Sequence, residues 1–433
     1  MNLFKSFRFL NLYWLFSDKL IRIPFTILIS SLMARYLGPA DLGLIVFAVS
    51  FFGIFGFLIN SGIEEIITRN LVQEPENAES ILAMGLLLKF CGGLIATIVA
   101  LPIGYYFFTF DEFLLIVIVA SSGLFYGPFI LESYFNSRYE SKFIVRVGLV
   151  IFLFSSFLKL IGIFFKLNLY YFGFLVPLEI LLISIAYLYL GFSKTVPLKK
   201  TKVNKVILID VLRDSYPLII SGFAVTFYMK MDQIMIKSML GNVDLGIFSV
   251  GIRFVENLYF VPMLITSSFL PMLVEEKSKS IQDLDRATYM LTSSTLFICM
   301  LISGSFYIFS DTFINFFFGM EYLKAIPILK VYAFTLVFTA LGVSSSRRLL
   351  VENRQNLSLF RTISGLLINL ILNFLWIPKY GSIGAAWASV ISNAFASFLF
   401  YGFIPSTWSI FKLQCSSFNP VPLIRYYKNL NLK

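Results

Sequence analysis

The side chains best placed to do chemistry in this sequence are ionisable groups set inside long apolar stretches. The cations are Lys19, Arg22, Lys89, Arg146, Lys159, Lys230, Lys237, Arg253 and Lys330; the anions are Asp18, Glu132, Glu179, Asp232 and Glu256. Charges are costly in such settings, so those that persist mark ligand paths, ion relays or paired groups. Arg146, Lys237, Lys330 and Glu132 lie near the ends of their stretches, where long side chains reach water. The deeper set is mostly basic. Guanidinium and ammonium groups there suit an anionic ligand such as a diphosphate or an acidic sugar, because both bind phosphate oxygens. Lys19, Arg22, Lys89, Lys159, Lys230 and Arg253 are therefore the substrate-binding candidates. Asp18, Glu179, Asp232 and Glu256 are candidates for charge pairing or for coupling to H+ or Na+. Arg253 and Glu256, three residues apart, share a helix face, and Asp232–Arg253 is the first ion pair to expect. The competing reading is that all these charges neutralise one another and hold helices together.

Acid–base and metal chemistry find little support. The chain has no histidine, the commonest acid–base group near pH 7 and the commonest metal ligand. Cys91, Cys299 and Cys415 form no C-x-x-C pair, and the first two read as small buried thiols. No catalytic residue, metal or cofactor is expected. Asn369, Asn373 and Asn393 suit sugar hydroxyls and interhelical hydrogen bonds equally well.

The elements that must position these residues are transmembrane helices. Hydrophobic residues make up 58% of the 433, charged residues 14%, and the mean hydropathy is +0.83; a soluble domain carries roughly 45–50% apolar and about 25% charged residues. Apolar runs of about 20 residues recur from end to end, each long enough to cross a bilayer as a helix. A membrane barrel would show short alternating segments instead. The pattern predicts helices over 12–36, 42–63, 81–107, 113–135, 144–165, 170–192, 215–239, 246–270, 288–310, 326–346, 360–378 and 383–405.

The net charge of +11 is spread through the connecting segments, which is a topology signal and argues against nucleic acid as a partner. With the N-terminus inside, the external segments hold only Arg35, Lys166, Lys324 and Lys379, so both termini are expected in the cytoplasm. The longest connection, 193–214, carries Lys194, Lys199, Lys200, Lys202, Lys205 and Arg213 and reads as a membrane-surface anchor. It divides the chain into a six-helix lobe over 1–198, a basic cytoplasmic linker over 199–214, a second lobe over 215–405 and a cytoplasmic tail over 406–433.

An internal repeat supports that division. YLGPADLG begins at Tyr36 and MLGNVDLG at Met239; five of the seven positions in 37–43 recur in 240–246. The glycines suit a tight external turn, and Asp41 and Asp244 can bond the backbone or cap the following helix. Repeats with an even number of spans enter the membrane the same way round. Two six-helix lobes related by a pseudo-two-fold along the membrane normal are therefore expected, with a transport site in the cleft between them.

Three stretches carry a resemblance to a known family. LMARYLGPADLGLIVFAVSF around the first repeat, FFFGMEYLKAIPILKVYAF over 316–334 and NLILNFLWIPKYGSIGAAWASVISN over 369–393 resemble polysaccharide flippases. These are the Wzx-type members of the multidrug/oligosaccharidyl-lipid/polysaccharide exporter superfamily. The resemblance implies an all-α, MATE-like fold of about twelve transmembrane helices around a central cavity. It also implies movement of undecaprenyl-diphosphate-linked oligosaccharide units across the bacterial inner membrane, for O-antigen, capsule or exopolysaccharide synthesis. The partners implied are the lipid-linked oligosaccharide, membrane lipid, H+ or Na+ as coupling ion, and other polysaccharide-assembly proteins. A cation-coupled drug or metabolite antiporter on the same fold is the alternative, but it calls for an acidic cavity. A membrane-embedded polymerase or glycosyltransferase calls for larger loops than the external ones here.

Overall fold

The computed structural model describes residues 2–60, 62–194, 196 and 205–419, and every regular element among them is helical. Side chains at 2–13, 15, 60, 205–218, 220 and 221 fall outside the description. Of the linker expected over 199–214, residues 199–204 lie outside the described residues, as do residues 420–433 of the tail expected over 406–433.

The helices used below are α1 (Asn2–Ile54), α2 (Ile63–Gln73), α3 (Ala78–Phe107), α4 (Phe110–Ala120), α5 (Leu131–Ser137), α6 (Ser141–Phe164), α7 (Leu169–Ser193) and α8 (Lys205–Leu240). There follow α9 (Asn242–Glu256), α10 (Phe260–Lys279), α11 (Ile281–Phe317), α12 (Ala325–Tyr332), α13 (Phe334–Val351), α14 (Gln355–Tyr380), α15 (Ser382–Ala394) and α16 (Trp408–Ser417). Among the described residues nine stretches are long and apolar enough to cross a membrane, or ten if the bent α4–α5 segment is one span.

The repeat is a backbone device. The stretch Phe16–Ile54 has 39 residues and would measure about 58 Å as one helix at 1.5 Å per residue, roughly twice the hydrocarbon core. It is broken at Gly38, with φ 72 and ψ 173. Gly241, just before α9, takes φ 95 and ψ −176. Both copies thus place glycine in a region of backbone space that is closed to other residues. A Cβ on Gly241 would meet no atom within 4 Å, so the constraint there is the backbone's alone. Asp244 stands in the first turn of α9, where a carboxylate favours the helix N-terminus, and it accepts from the Ser382 hydroxyl at 3.3 Å.

Several spans depart from the simple helices expected. Residues 113–135 form α4, 3-10 turns over 121–130, and α5, with a 47° bend. The bend frees the Ala120 carbonyl, which the Thr97 hydroxyl caps at 2.9 Å. It also brings Gly123 against Gly93 of α3 so closely that a Cβ on either glycine would strike backbone. The helix expected over 246–270 is two, because Pro262 removes the N–H that would bond the Leu258 carbonyl; α10 then runs on to Lys279. α8 begins at Lys205, ahead of the 215 expected. α11 begins at Ile281, where Ser280 caps it by accepting from the Asp283 N–H at 3.0 Å.

Two compact units result, Met1–Lys230 and Met231–Lys433. In the first, α1 packs on α4 and α6, α3 on the bent segment, and α6 on α7. Its core includes Ile66, Ile67, Ile81, Leu82, Ile130 and Phe135. In the second, α14 packs on α15, α11 on α10 and α13, and α9 on α12. Phe254 is its aromatic hub, with the rings of Phe306, Phe313, Phe317 and Phe318 at 5.6–5.9 Å. The outer faces are apolar too. On α6, Val150 is 66% exposed and Phe164 80%, which only a lipid solvent tolerates along a whole helix.

Candidate substrate and ion-coupling sites

In the first unit the intramembrane cations meet carboxylates. Asp18 and Arg22 lie one turn apart on α1, and the Arg22 Nε donates to Asp18 Oδ1 at 2.6 Å. The Arg22 guanidinium also sits 5.4 Å from the centre of the Phe152 ring on α6. Lys19, between them in sequence, is exposed.

Lys89 of α3 is completely buried and pairs with Glu64 of α2. Its ammonium lies 6.0 Å from the centre of the Phe129 ring. The amphipathic pattern of α2 explains the meeting. Ile63, Ile66, Ile67 and Leu71 enter the core, which carries Glu64 on their flank to the inside of the unit. Glu132 of α5 accepts from the Tyr187 hydroxyl at 2.7 Å and feels the charges of Glu64, Lys89 and Arg22. On α6 and α7, Lys159 pairs with Glu179 at 3.4 Å, and Ser155 donates to the same carboxylate oxygen at 2.7 Å.

Arg22, Lys89 and Lys159 each have a carboxylate partner, Asp18, Glu64 and Glu179 respectively, the arrangement that the competing reading expects. One expectation is corrected here. Glu132 does not reach out to water from a span end. The break of α4 places it on a separate short helix that turns it inward, half-buried, toward Tyr187.

The second unit holds a polar network with a buried carboxylate at its centre. Asp232 of α8 is 7% exposed, and Asn369 and Asn373 of α14 are fully buried. Asn373 Nδ2 donates to Asp232 Oδ1 at 2.6 Å and lies 3.0 Å from Asn369 Oδ1. Ser389 of α15 donates to Asp232 Oδ2, and Asn369 Nδ2 reaches Ser392 at 3.4 Å. Asn373 Oδ1 is buried without a partner. The expected Asp232–Arg253 pair is therefore replaced: amide and hydroxyl donors take up the carboxylate. Arg253 has Glu256 as its neighbouring carboxylate on α9. Both are half-buried, as is Lys230 where the two units meet in sequence. Asn393 faces another way, donating to Thr339 at 3.2 Å and accepting from Ser397 at 3.0 Å.

A second charged network closes one end of this unit. Arg348 of α13, 2% exposed, pairs with Asp285 of α11 at 2.5 Å and with Glu352 at 2.8 Å. Glu352 also pairs with Arg354 at 3.4 Å, which donates to the Ser406 carbonyl at 3.0 Å. Asp283 and Asp285 make an Asp-x-Asp spacing, the kind of pair a metal-dependent transferase needs. Both are engaged structurally, the first with Ser280 and the second with Arg348. Glu64, Tyr187, Ser389 and Arg348 thus join the candidates singled out from the sequence. A fully buried lysine was a signal that some carboxylate must come close; nothing in the linear order says that Glu64 is the one.

The profile of the polysaccharide biosynthesis protein family matches residues 10–277, well over half the chain. The chain is 22% identical over 350 residues to an uncharacterised membrane protein of Methanocaldococcus jannaschii, covering 77% of this chain and 82% of that one. It is 26% identical over 201 residues to a "probable low-salt glycan biosynthesis flippase" of Haloferax volcanii, covering 46% and 42% of the two. It is 27% identical over 181 residues to a capsular polysaccharide biosynthesis protein of Staphylococcus aureus, covering 40% and 43%. The last two matches thus span less than half of either relative. Among solved structures, the lipid II flippase MurJ in an inward closed conformation superposes with TM-score 0.70 at 15% identity, over 97% of this chain and 93% of that one. An inward-facing multidrug-resistance MATE transporter of the MOP superfamily gives 0.67 at 16%, over 92% and 96%. The family and these structural neighbours are flippases and transporters, not enzymes. The chain is a multi-pass membrane protein that belongs to the polysaccharide biosynthesis protein family and has the fold of MOP-superfamily transporters.

Proposed function

We propose that this protein flips undecaprenyl-diphosphate-linked oligosaccharide units across the bacterial inner membrane for surface polysaccharide synthesis. The family match over residues 10–277 carries the reading. Twelve spans in two six-helix lobes, with both termini cytoplasmic, is the matching topology. In this reading the break at Gly38 and the helix over Lys205–Leu240 are counted as the two crossings beyond the ten.

In this reading H+ or Na+ acts at Asp232. A buried carboxylate beside the Ser389 hydroxyl offers a cation hard oxygen ligands. Protonation would neutralise the same group. Lys19, Lys230 and Arg253 are proposed to face the anionic head group directly. Arg22, Lys89 and Lys159 could do so only by loosening their hold on Asp18, Glu64 and Glu179, a cost that an arriving diphosphate offsets.

Deleting the gene tests the function. Surface polysaccharide is expected to disappear while the lipid-linked unit is still made and accumulates on the cytoplasmic leaflet. Lipid-linked unit reaching the outer leaflet at the normal rate in the deletion strain would refute the proposal.

A further inference from the structure

Two guanidinium groups in the second unit are held by hydroxyls: Arg347, in an exposed contact, by Ser267 at 3.0 Å, and the more enclosed Arg361. Arg361 lies on α14 less than two turns, or roughly 9 Å, from its start at Gln355. Its Nη2 donates to the Ser346 hydroxyl of α13 at 2.8 Å, and Ser346 lies 3.4 Å from the Ser358 hydroxyl. Its Nη1 occupies the space left by Gly342; a Cβ there would come within 2.7 Å of it. Its Nε is buried without an acceptor. The side chain as a whole is half-buried, as are Ser346 and Ser358.

No carboxylate answers this charge. Arg361 makes no ion pair among the described residues, and Glu352, the acid nearest to it in sequence, is engaged with Arg348 and Arg354. The contrast matters. Where this chain uses an arginine to fasten helices at that end of the unit, it supplies carboxylates, as around Arg348. At Arg361 it supplies hydroxyls, and Nη1 shares the room over Gly342 with Ser397. A half-buried guanidinium without a counter-charge among the described residues, its Nε–H unanswered, points to an anion that comes and goes. Ser346 already donates to the Gly342 carbonyl at 2.9 Å and so holds the guanidinium in place; the unanswered Nε–H and the Ser358 hydroxyl are donors of the kind a tetrahedral phosphoryl group accepts from.

We propose that Arg361, Ser346 and Ser358 form a phosphoryl-binding subsite for the head group of an anionic lipid, specifically the diphosphate of a polyprenyl-linked substrate. The phosphoryl chemistry rests on the site alone, whereas naming the carrier as its source rests on the flippase reading. The subsite is independent of the six cations considered from the sequence, because Arg361 sits at the edge of a span and reads there as an ordinary loop charge.

The test uses the full-length protein in phosphatidylcholine nanodiscs, with thermal unfolding as readout. The probes are farnesyl diphosphate, phosphatidylglycerol and, as the neutral control, farnesol. Farnesyl diphosphate is expected to raise the unfolding temperature saturably and farnesol not to. Arg361→Gln should weaken the apparent affinity roughly tenfold or more, the size expected for losing a charged donor. Arg361→Lys should recover only part, since lysine lacks the planar fork. Should Arg361→Gln not fold, the double variant Ser346→Ala with Ser358→Ala keeps the guanidinium and should still lose about fivefold. An equal, Arg361-dependent response to phosphatidylglycerol would keep the subsite but overturn the carrier as its source. Unchanged affinity for farnesyl diphosphate in the folded variants would overturn the subsite. Normal polysaccharide in the deletion strain, together with Arg361-dependent binding, would remove the flippase reading and leave the subsite standing.

Discussion

Asp232→Asn is expected to lower transport by roughly 5–150-fold, the range of typical coupling free energies, while leaving a folded protein in the membrane. The substitution keeps the shape of the side chain and removes only its charge. Asp232 accepts from Asn373 and Ser389 in the network. An amide at 232 keeps one acceptor oxygen, and a flip of the Asn373 amide, whose Oδ1 is buried and unpartnered, turns an acceptor toward the new N–H donors. The stability cost should then be small, about 1 kcal/mol for a rearranged neutral hydrogen bond. In the coupling proposed at Asp232, by contrast, the ion loses the carboxylate of that network. The measurement is transport against an imposed Na+ or H+ gradient, with the variant's unfolding temperature recorded beside it. Wild-type rates with an intact gradient response would remove Asp232 from the coupling step. A collapse of the unfolding temperature instead would make the carboxylate a structural pin.

Glu64→Gln should produce the largest loss of stability. Lys89 has no exposed surface, and its carboxylate partner lies on the amphipathic α2. Removing one partner of a buried pair costs about 3–5 kcal/mol, because the other charge is stranded. The Glu64 side chain is 38% exposed and Glu132 remains near, so the lower end of that range applies. Adding Lys89→Met should restore most of the loss, since methionine fills the same volume without a charge. Thermal unfolding of the single and double variants reads this directly. A single variant as stable as wild type would show that Glu64 does not carry the pairing. A double variant no better than the single would show that Lys89 is needed for something other than that ion pair.

What could be seen in the sequence and what could not divides along physical lines. Membrane spans are legible because a helix must stay apolar for about 20 residues to cross. Gly38 and Gly241 are legible because a backbone conformation open only to glycine leaves the same residue at both copies of a repeat. The bend after Ala120 is less so: it depends on Thr97 and Gly93 of another helix to satisfy and accommodate it. Partners across space are the hardest to see. Asp232 and Ser389 are 157 residues apart, and no pattern in either neighbourhood names the other. The cations were visible as anomalies in apolar runs, but their neutralisation was not. Glu64 lies just past the end of an expected span, where it reads as an interfacial acid until α2 folds its flank inward. Arg361 fails in the opposite sense, a span-edge cation that reads as a topology signal and finds only hydroxyls.

Translocation by the purified protein in liposomes tests the flippase function most directly. The vesicles carry a polyprenyl-diphosphate oligosaccharide labelled in its sugar, with an impermeant glycan-modifying enzyme outside. Flippase function predicts that the inner-leaflet pool becomes accessible, faster under a Na+ or H+ gradient, and that the Asp232→Asn protein loses that acceleration. An inner pool that stays as protected as in protein-free liposomes, under every gradient, would contradict it.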